Sequence, residues 1–295
     1  MSAAPPVSLL LHRGAAELWP AVVRPWLEAG RGSLSRRLVV VPTRGQALVW
    51  KQRCVREGVP LLGVEFITPG LARRKWLPTM PTGRPVIGQE FLRLGLRGLI
   101  EDRLAALPES SEGEAFERRA IWQSLRSDPE RALQALDDLL QAGLAPQDFP
   151  RRELAELGRA LVAWADRLGY GLGPVQAIAA ATAPLAADTP ALAADVLVLG
   201  LGAENSGEFF NVAALVRRCA RATVVLPAPA LRGGGDVGDE ERFDEAWVTR
   251  WERFLGVSAE VLESERGEEV APRMSFGATR GDEAELIVAQ LCAWL

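Results

Sequence analysis

The 295 residues, 48% hydrophobic and 24% charged, are ordinary globular composition with enough material for one large domain or two smaller ones. A net charge of −4 argues against indiscriminate binding to polyanions but leaves room for a local basic track, since steering depends on the field at the site. No apolar run reaches transmembrane length and the N-terminus lacks a basic n-region, so neither a membrane span nor a signal peptide is expected and a cytoplasmic location is. Cys54, Cys219 and Cys292 are widely separated, no CxxC occurs, and His12 is the only histidine, which excludes a zinc pattern and points to reduced, buried thiols. Lys51 and Lys75 are the only lysines, so any phosphate contact rests mainly on guanidinium forks.

In chain order, Ser8–His12 reads as a short strand, and 15–29 as a helix that Pro20 and Pro25 should break or kink. Arg37–Val41 is the clearest strand, a β-branched run stopped by Pro42, followed by a helix over 46–57 and a strand over 63–67. Continuous apolar strands alternating with helices predict a parallel sheet covered on both faces. Between about 87 and 185 the texture is helical throughout. Asp128-Pro129-Glu130 opens one helix with a cap and a first-position proline, and 154–168 forms another with Leu154, Leu157, Leu161 and Trp164 on one stripe. Strands return at 195–199 and 222–226, with helices over 207–220 and 240–255; Trp247 and Trp251 on the latter read as core. A last strand is expected over 273–278 and a last helix over 282–294. The chain stopping at Leu295 directly after that helix reads as a fragment boundary.

Two turns carry the functional signal. Val39-Val40-Val41-Pro42-Thr43-Arg44-Gly45-Gln46-Ala47-Leu48 is a strand running into a helix, and Phe66-Ile67-Thr68-Pro69-Gly70-Leu71-Ala72-Arg73-Arg74-Lys75-Trp76 is a strand turning into a basic, aromatic-flanked helix. They resemble motifs Ia and Ib of superfamily 1 DNA helicases, which contact single strands. Together with DVLVLGLGAENSGEFFNVAALVRRCARATVVLPAP over 195–229 and MSFGATRGDEAE over 274–285, their order resembles AddB, the partner subunit of bacterial AddAB helicase–nucleases, over nearly the whole chain. The resemblance implies an α/β, P-loop-NTPase/helicase-like parallel sheet (1–86 plus 186–272), an inserted all-helical subdomain (87–185), and the start of a second motor-like domain (273–295). It further implies a region truncated before the family's PD-(D/E)XK nuclease domain, a role in double-strand break repair and recombination, and two partners: single-stranded or unwinding DNA and an AddA-like helicase–nuclease subunit.

The departures bear on chemistry. A P-loop needs a lysine for the β- and γ-phosphates and a hydroxyl for Mg²⁺. On the overlay Gly14 lies in the loop, Glu17 stands where the lysine belongs and Leu18 where the Ser/Thr belongs. Leu199 and Gly200 occupy the place of the acidic pair. ATP hydrolysis, a bound cofactor and a metal are therefore not expected, and neither lysine has the spacing of a nuclease motif. The candidate DNA residues are Thr43, Arg44, Thr68, Arg73, Arg74, Lys75 and Trp76. For Thr43 and Arg44 the competing reading is a plain strand-to-helix cap with an exposed arginine. For 73–76 it is a solvated helix face with Trp76 in the core. Arg36-Arg37 and Arg217-Arg218 read as solvated ends of core elements. A different class stays open beside this one: a doubly wound nucleotide- or small-ligand-binding protein or enzyme unrelated to DNA.

Overall fold

The first strand, β1 (Val7–His12), leads into a helical run made of α1 (Ala15–Leu18), a wide π turn (Trp19–Val23) and α2 (Arg24–Ala29). In this computed structural model the described residues are 6–80, 84–109, 112–186, 188–229 and 239–262. Pro20 and Pro25 do not break the run. Each stands in the first turn of its segment, and the turn widens so that Arg24 N–H donates to Trp19 O, five residues back.

Alternation follows as the sequence predicts: β2 (Arg37–Val40), α3 (Arg44–Arg56), β3 (Val64–Ile67) and α4 (Pro69–Trp76). A helical stretch comes next, with α5 (Gln89–Ala106), α6 (Gly113–Ser127), α7 (Pro129–Gln141), α8 (Arg152–Arg167) and α9 (Gly173–Thr182). Then come β4 (Asp195–Leu199), a 3-10 segment (Ala203–Glu208), α10 (Phe209–Arg217), β5 (Ala222–Pro227), α11 (Asp239–Leu255) and a two-residue β6 (Glu260–Val261). The strand and helix expected over 273–294 lie outside the described residues.

The sheet is all-parallel in the order β3-β2-β4-β5-β1-β6. Its register sets Val39 against both Phe66 and Leu197, and Leu9 against Val224. Because side chains alternate between faces, one set of strand residues (Val39, Leu197, Leu199, Val225) packs with Trp19, Val23, Leu27 and Cys54 beneath α1–α3. The other set (Leu38, Val40, Val196, Val198, Val224, Leu226) packs against α4, α9, α10 and α11, with Trp247 and Trp251 in that core. Burial on both faces is why these strands are uniformly apolar.

Helices α5–α8 close over a core of their own: Leu96, Ile100, Leu104, Trp122, Leu136, Phe149, Leu157 and Leu161. No strand occurs there among the described residues, only a bridge between Val86 and Gly171 at its base. Asp128 caps α7 as expected, its carboxylate accepting from Arg131 N at 3.0 Å. Helix α9 sits with the sheet instead, its Ala177, Ala180 and Ala181 belonging to the core under α10. Two basic pairs read as solvated are partly structural. Arg37 is 3% exposed, donates to Trp26 O and Leu27 O, and lies 3.7 Å from the Trp26 ring centroid. Arg218 is buried and donates to Pro190 O at 3.0 Å, while Arg217 donates to Ala181 O. Orphan carbonyls at helix and loop ends recruit these guanidinium groups, a demand invisible in the local sequence.

Candidate nucleic-acid interface

In a parallel sheet every strand delivers its following turn to the same edge, so the segments after β1, β2, β3, β4 and β5 gather there. After β2, Thr43 closes a capping box: its hydroxyl accepts from Gln46 N at 3.2 Å, and Gln46 Oε1 accepts from Thr43 N at 3.2 Å. After β3, Thr68 Oγ1 accepts from Leu71 N at 3.4 Å, and Pro69 occupies the first position of α4. Both threonines are thus helix caps. Arg44 is exposed and has no ion pair among the described residues.

Helix α4 turns Ala72 and Trp76 toward the sheet, four residues apart on one face. This corrects the stacking role considered for Trp76. It is only 7% exposed, packed in the core, with Arg36 and Lys75 4.8 and 4.6 Å from its ring centroid. A ring so enclosed offers no face to a base. Lys75 is also committed, with Nζ 2.5 Å from Glu65 Oε1 on β3.

Arg73 and Arg74 face a different environment. They line a cleft of about 920 Å³ between α4, the start of α9, and helices α5 and α7. Its apolar wall comes from Pro78, Val86, Ile87, Leu92 and Leu133, and Gln89 and Gln134 add amides. Of its acids, Glu130 lies 3.7 Å from Arg93, and Asp128 is spent on its helix cap. Asp137 accepts from the Gln141 side chain. Burial pushes its carboxyl above the usual carboxylate range, while the charge of Arg73 pulls it back down. Arg73, Arg74 and Arg131 have no ion pair among the described residues. Thr43, Arg44, Thr68 and Lys75 share the sheet edge or α4 but do not line the cleft.

Arg131, Gln89 and Gln134 were absent from the sequence-derived set. In the sequence they are polar positions on helical segments, and only the cleft that the fold leaves between α4 and helices α5 and α7 gives them a common target.

The residues overlaid on a nucleotide site form no phosphate cradle. Gly14 caps the four-residue α1, and Leu18 points into the core. Glu17 Oε2 is buried with no hydrogen-bond partner among the described residues, and burial lowers the pKa of His12. Leu199 is buried, and Gly200, at φ +65°, turns the chain beside Pro42. Beside β1 the edge thus carries exposed Arg13 and the half-buried Glu17, with neither the lysine nor the hydroxyl of a phosphate loop. Among the described residues no cluster of three or more His, Cys, Asp or Glu is placed to hold a metal, and no helix is long and apolar enough to cross a membrane.

A second cavity, of about 550 Å³, lies beyond β4 between the 3-10 segment, the end of α7 and α11. Its Arg250 stacks 4.1 Å from the Phe209 ring centroid, and burial alone lowers that guanidinium's pKa.

The geometry defines the class: an α/β protein with a six-stranded, all-parallel sheet and a layer of helices on each face. No protein-family model matches the chain, and no curated protein matches it either.

Proposed function

We propose that this chain is a non-catalytic DNA-contacting and scaffold module of the AddB-like kind, built on a helicase-like sheet with 87–185 as its inserted helical subdomain. In this reading a single strand runs along the edge carrying the Thr43 and Thr68 turns and enters the cleft beside α4. The observation that carries it is the cleft's composition: Arg73, Arg74 and Arg131, in no ion pair among the described residues although Arg73 acts on the nearby Asp137, set around an apolar wall. Phosphates need the first and unstacked bases tolerate the second. The edge beside β1 gives no comparable support for triphosphate chemistry, because Glu17 repels it and the turn after β1 holds no lysine. An AddA-like subunit as partner and a role in break repair follow from the family resemblance alone.

Anisotropy of labelled oligo(dT), beside a labelled ATP analogue, tests the proposal: saturable, salt-sensitive binding of the first and none of the second is expected. Nucleotide binding without DNA binding would favour a doubly wound small-ligand protein. The Arg250 cavity beyond β4 is the observation that keeps this second reading in play.

A further inference from the structure

Helix α3 carries a surface that the DNA reading does not use. Ala47, Trp50 and Cys54 anchor its inner face to the sheet. Its outer face holds Leu48, Val49 and Val55, which are 56%, 59% and 77% exposed. Single exposed aliphatics are normal, but Leu48 and Val55, seven residues apart, stand on the same side of this 13-residue helix, while Val49 lies further round it. At 100° per residue Leu48, Gln52 and Val55 make a continuous strip, with Lys51 on one flank and Arg56 on the other. The same five residues line a shallow groove of about 500 Å³.

The charge on this face has one sign. Helix α3 contains no acidic residue, and neither Lys51 nor Arg56 has a carboxylate partner among the described residues. The acid that follows the helix, Glu57, is already used by Trp19, Arg24 and Arg53. Two aliphatics flanking an amide, set between two cations without carboxylate partners among the described residues, are complementary to a helix with aliphatics along one stripe and carboxylates beside it. A membrane surface fits less well, because the face has no aromatic anchor and the helix is fixed to the sheet by its other side. A nucleic acid fits poorly too, since aliphatic side chains give bases nothing to stack on.

We propose that the outer face of α3 is a docking site for an acidic amphipathic helix of a partner protein. The site is independent of the DNA reading and can stand or fall without it.

The test uses the full chain and two fluorescein-labelled peptides of about 18 residues, long enough to cover α3 at ~1.5 Å per residue. Both carry leucines at helical i, i+4 and i+7 positions; one has glutamates flanking them and the other lysines. Anisotropy should show saturable binding of the glutamate peptide and at least about tenfold weaker binding of the lysine peptide. Leu48→Asp with Val55→Asp should weaken the glutamate peptide at least about tenfold, and Lys51→Glu with Arg56→Glu should reverse the preference. Leu48, Val55 and Arg56 lie on the solvent side of the helix and Lys51 is exposed with its ammonium 5.6 Å from the Phe66 ring centroid, so folding should persist, which an unchanged melting curve verifies.

No saturation below about 1 mM, equal binding of both peptides, or indifference to both double variants would overturn the proposal. So would sedimentation with phosphatidylserine vesicles in the absence of peptide binding. A self-association that Leu48→Asp with Val55→Asp abolishes would assign the face to a second copy of this chain, and would equally overturn it.

Discussion

Replacing Arg73, Arg74 and Arg131 together by alanine should remove most of the salt dependence of single-strand binding. Each phosphate neutralised on a single strand contributes about −0.7 to the slope of log affinity against log salt, so three contacts give about −2. Raising salt from about 50 to about 200 mM should then weaken the parent about twentyfold. The triple variant should bind weakly and nearly independently of salt. Arg74→Ala alone should leave a slope near −1.4, or about a sevenfold loss over the same range. Lys75→Ala should leave the slope unchanged, because Glu65 already compensates that ammonium at 2.5 Å.

Arg131→Ala is the discriminating variant, since only a strand lying in the cleft reaches both α4 and α7. The assay is anisotropy of labelled oligo(dT) over a salt series, with melting curves as the folding control. None of the three arginines makes an ion pair among the described residues, so stability should move by no more than about 0.5 kcal/mol. If Arg131→Ala keeps the parent slope while Arg74→Ala lowers it, the strand lies on α4 and outside the cleft. If the triple variant binds as the parent does, the basic cluster is a solvated helix face and the DNA reading loses its structural support.

Other expectations follow from particular contacts. Calorimetric titration with Mg–ATP should give no saturable heat at about millimolar nucleotide, because Glu17 and Leu18 replace the lysine and hydroxyl a triphosphate needs; micromolar binding would refute this. Gly95→Ala should destabilise the protein by about 1–3 kcal/mol in urea titrations despite alanine's better helix propensity, because a Cβ there would overlap the Trp164 ring; a stabilised variant would be contrary. Asp137 has a native pKa raised by burial, so the native state keeps its proton over a range where the unfolded chain has lost it. Stability should therefore fall as pH rises from the ordinary carboxylate range through the native value, then level off. Asp137→Asn should remove that decline, and equal pH profiles for parent and variant would contradict it. Cys219, its thiol pushed up to about 12 by burial, should resist iodoacetamide at pH about 8 until the protein unfolds; labelling at the rate of a free thiol would refute this.

The sequence by itself determined the strands and their parallel arrangement. Val39–Val41, Val196–Leu199 and Val224–Leu226 are apolar without interruption, and a segment buried on both sheet faces can be nothing else, so a parallel covered sheet was legible. The helix start at Asp128 was legible because capping chemistry is local; a cap at Thr43 was one of two readings of that residue, and the cap at Thr68 emerged only from the structure. Tertiary structure alone decided the strand order, which inserts β4 and β5 between β2 and β1 although β1 and β2 are consecutive in the chain. It also decided which cations are spent. Arg37 and Lys75 each sit in a basic run that reads as surface charge in the sequence, yet one caps buried carbonyls and the other pairs with Glu65, while Arg73, Arg74 and Arg131 face a cleft. The reason is that a charge is compensated by whatever packing brings within a few ångströms. Carbonyls of α2 reach Arg37 and a carboxylate of β3 reaches Lys75 from ten or more residues away, pairings that no local pattern encodes.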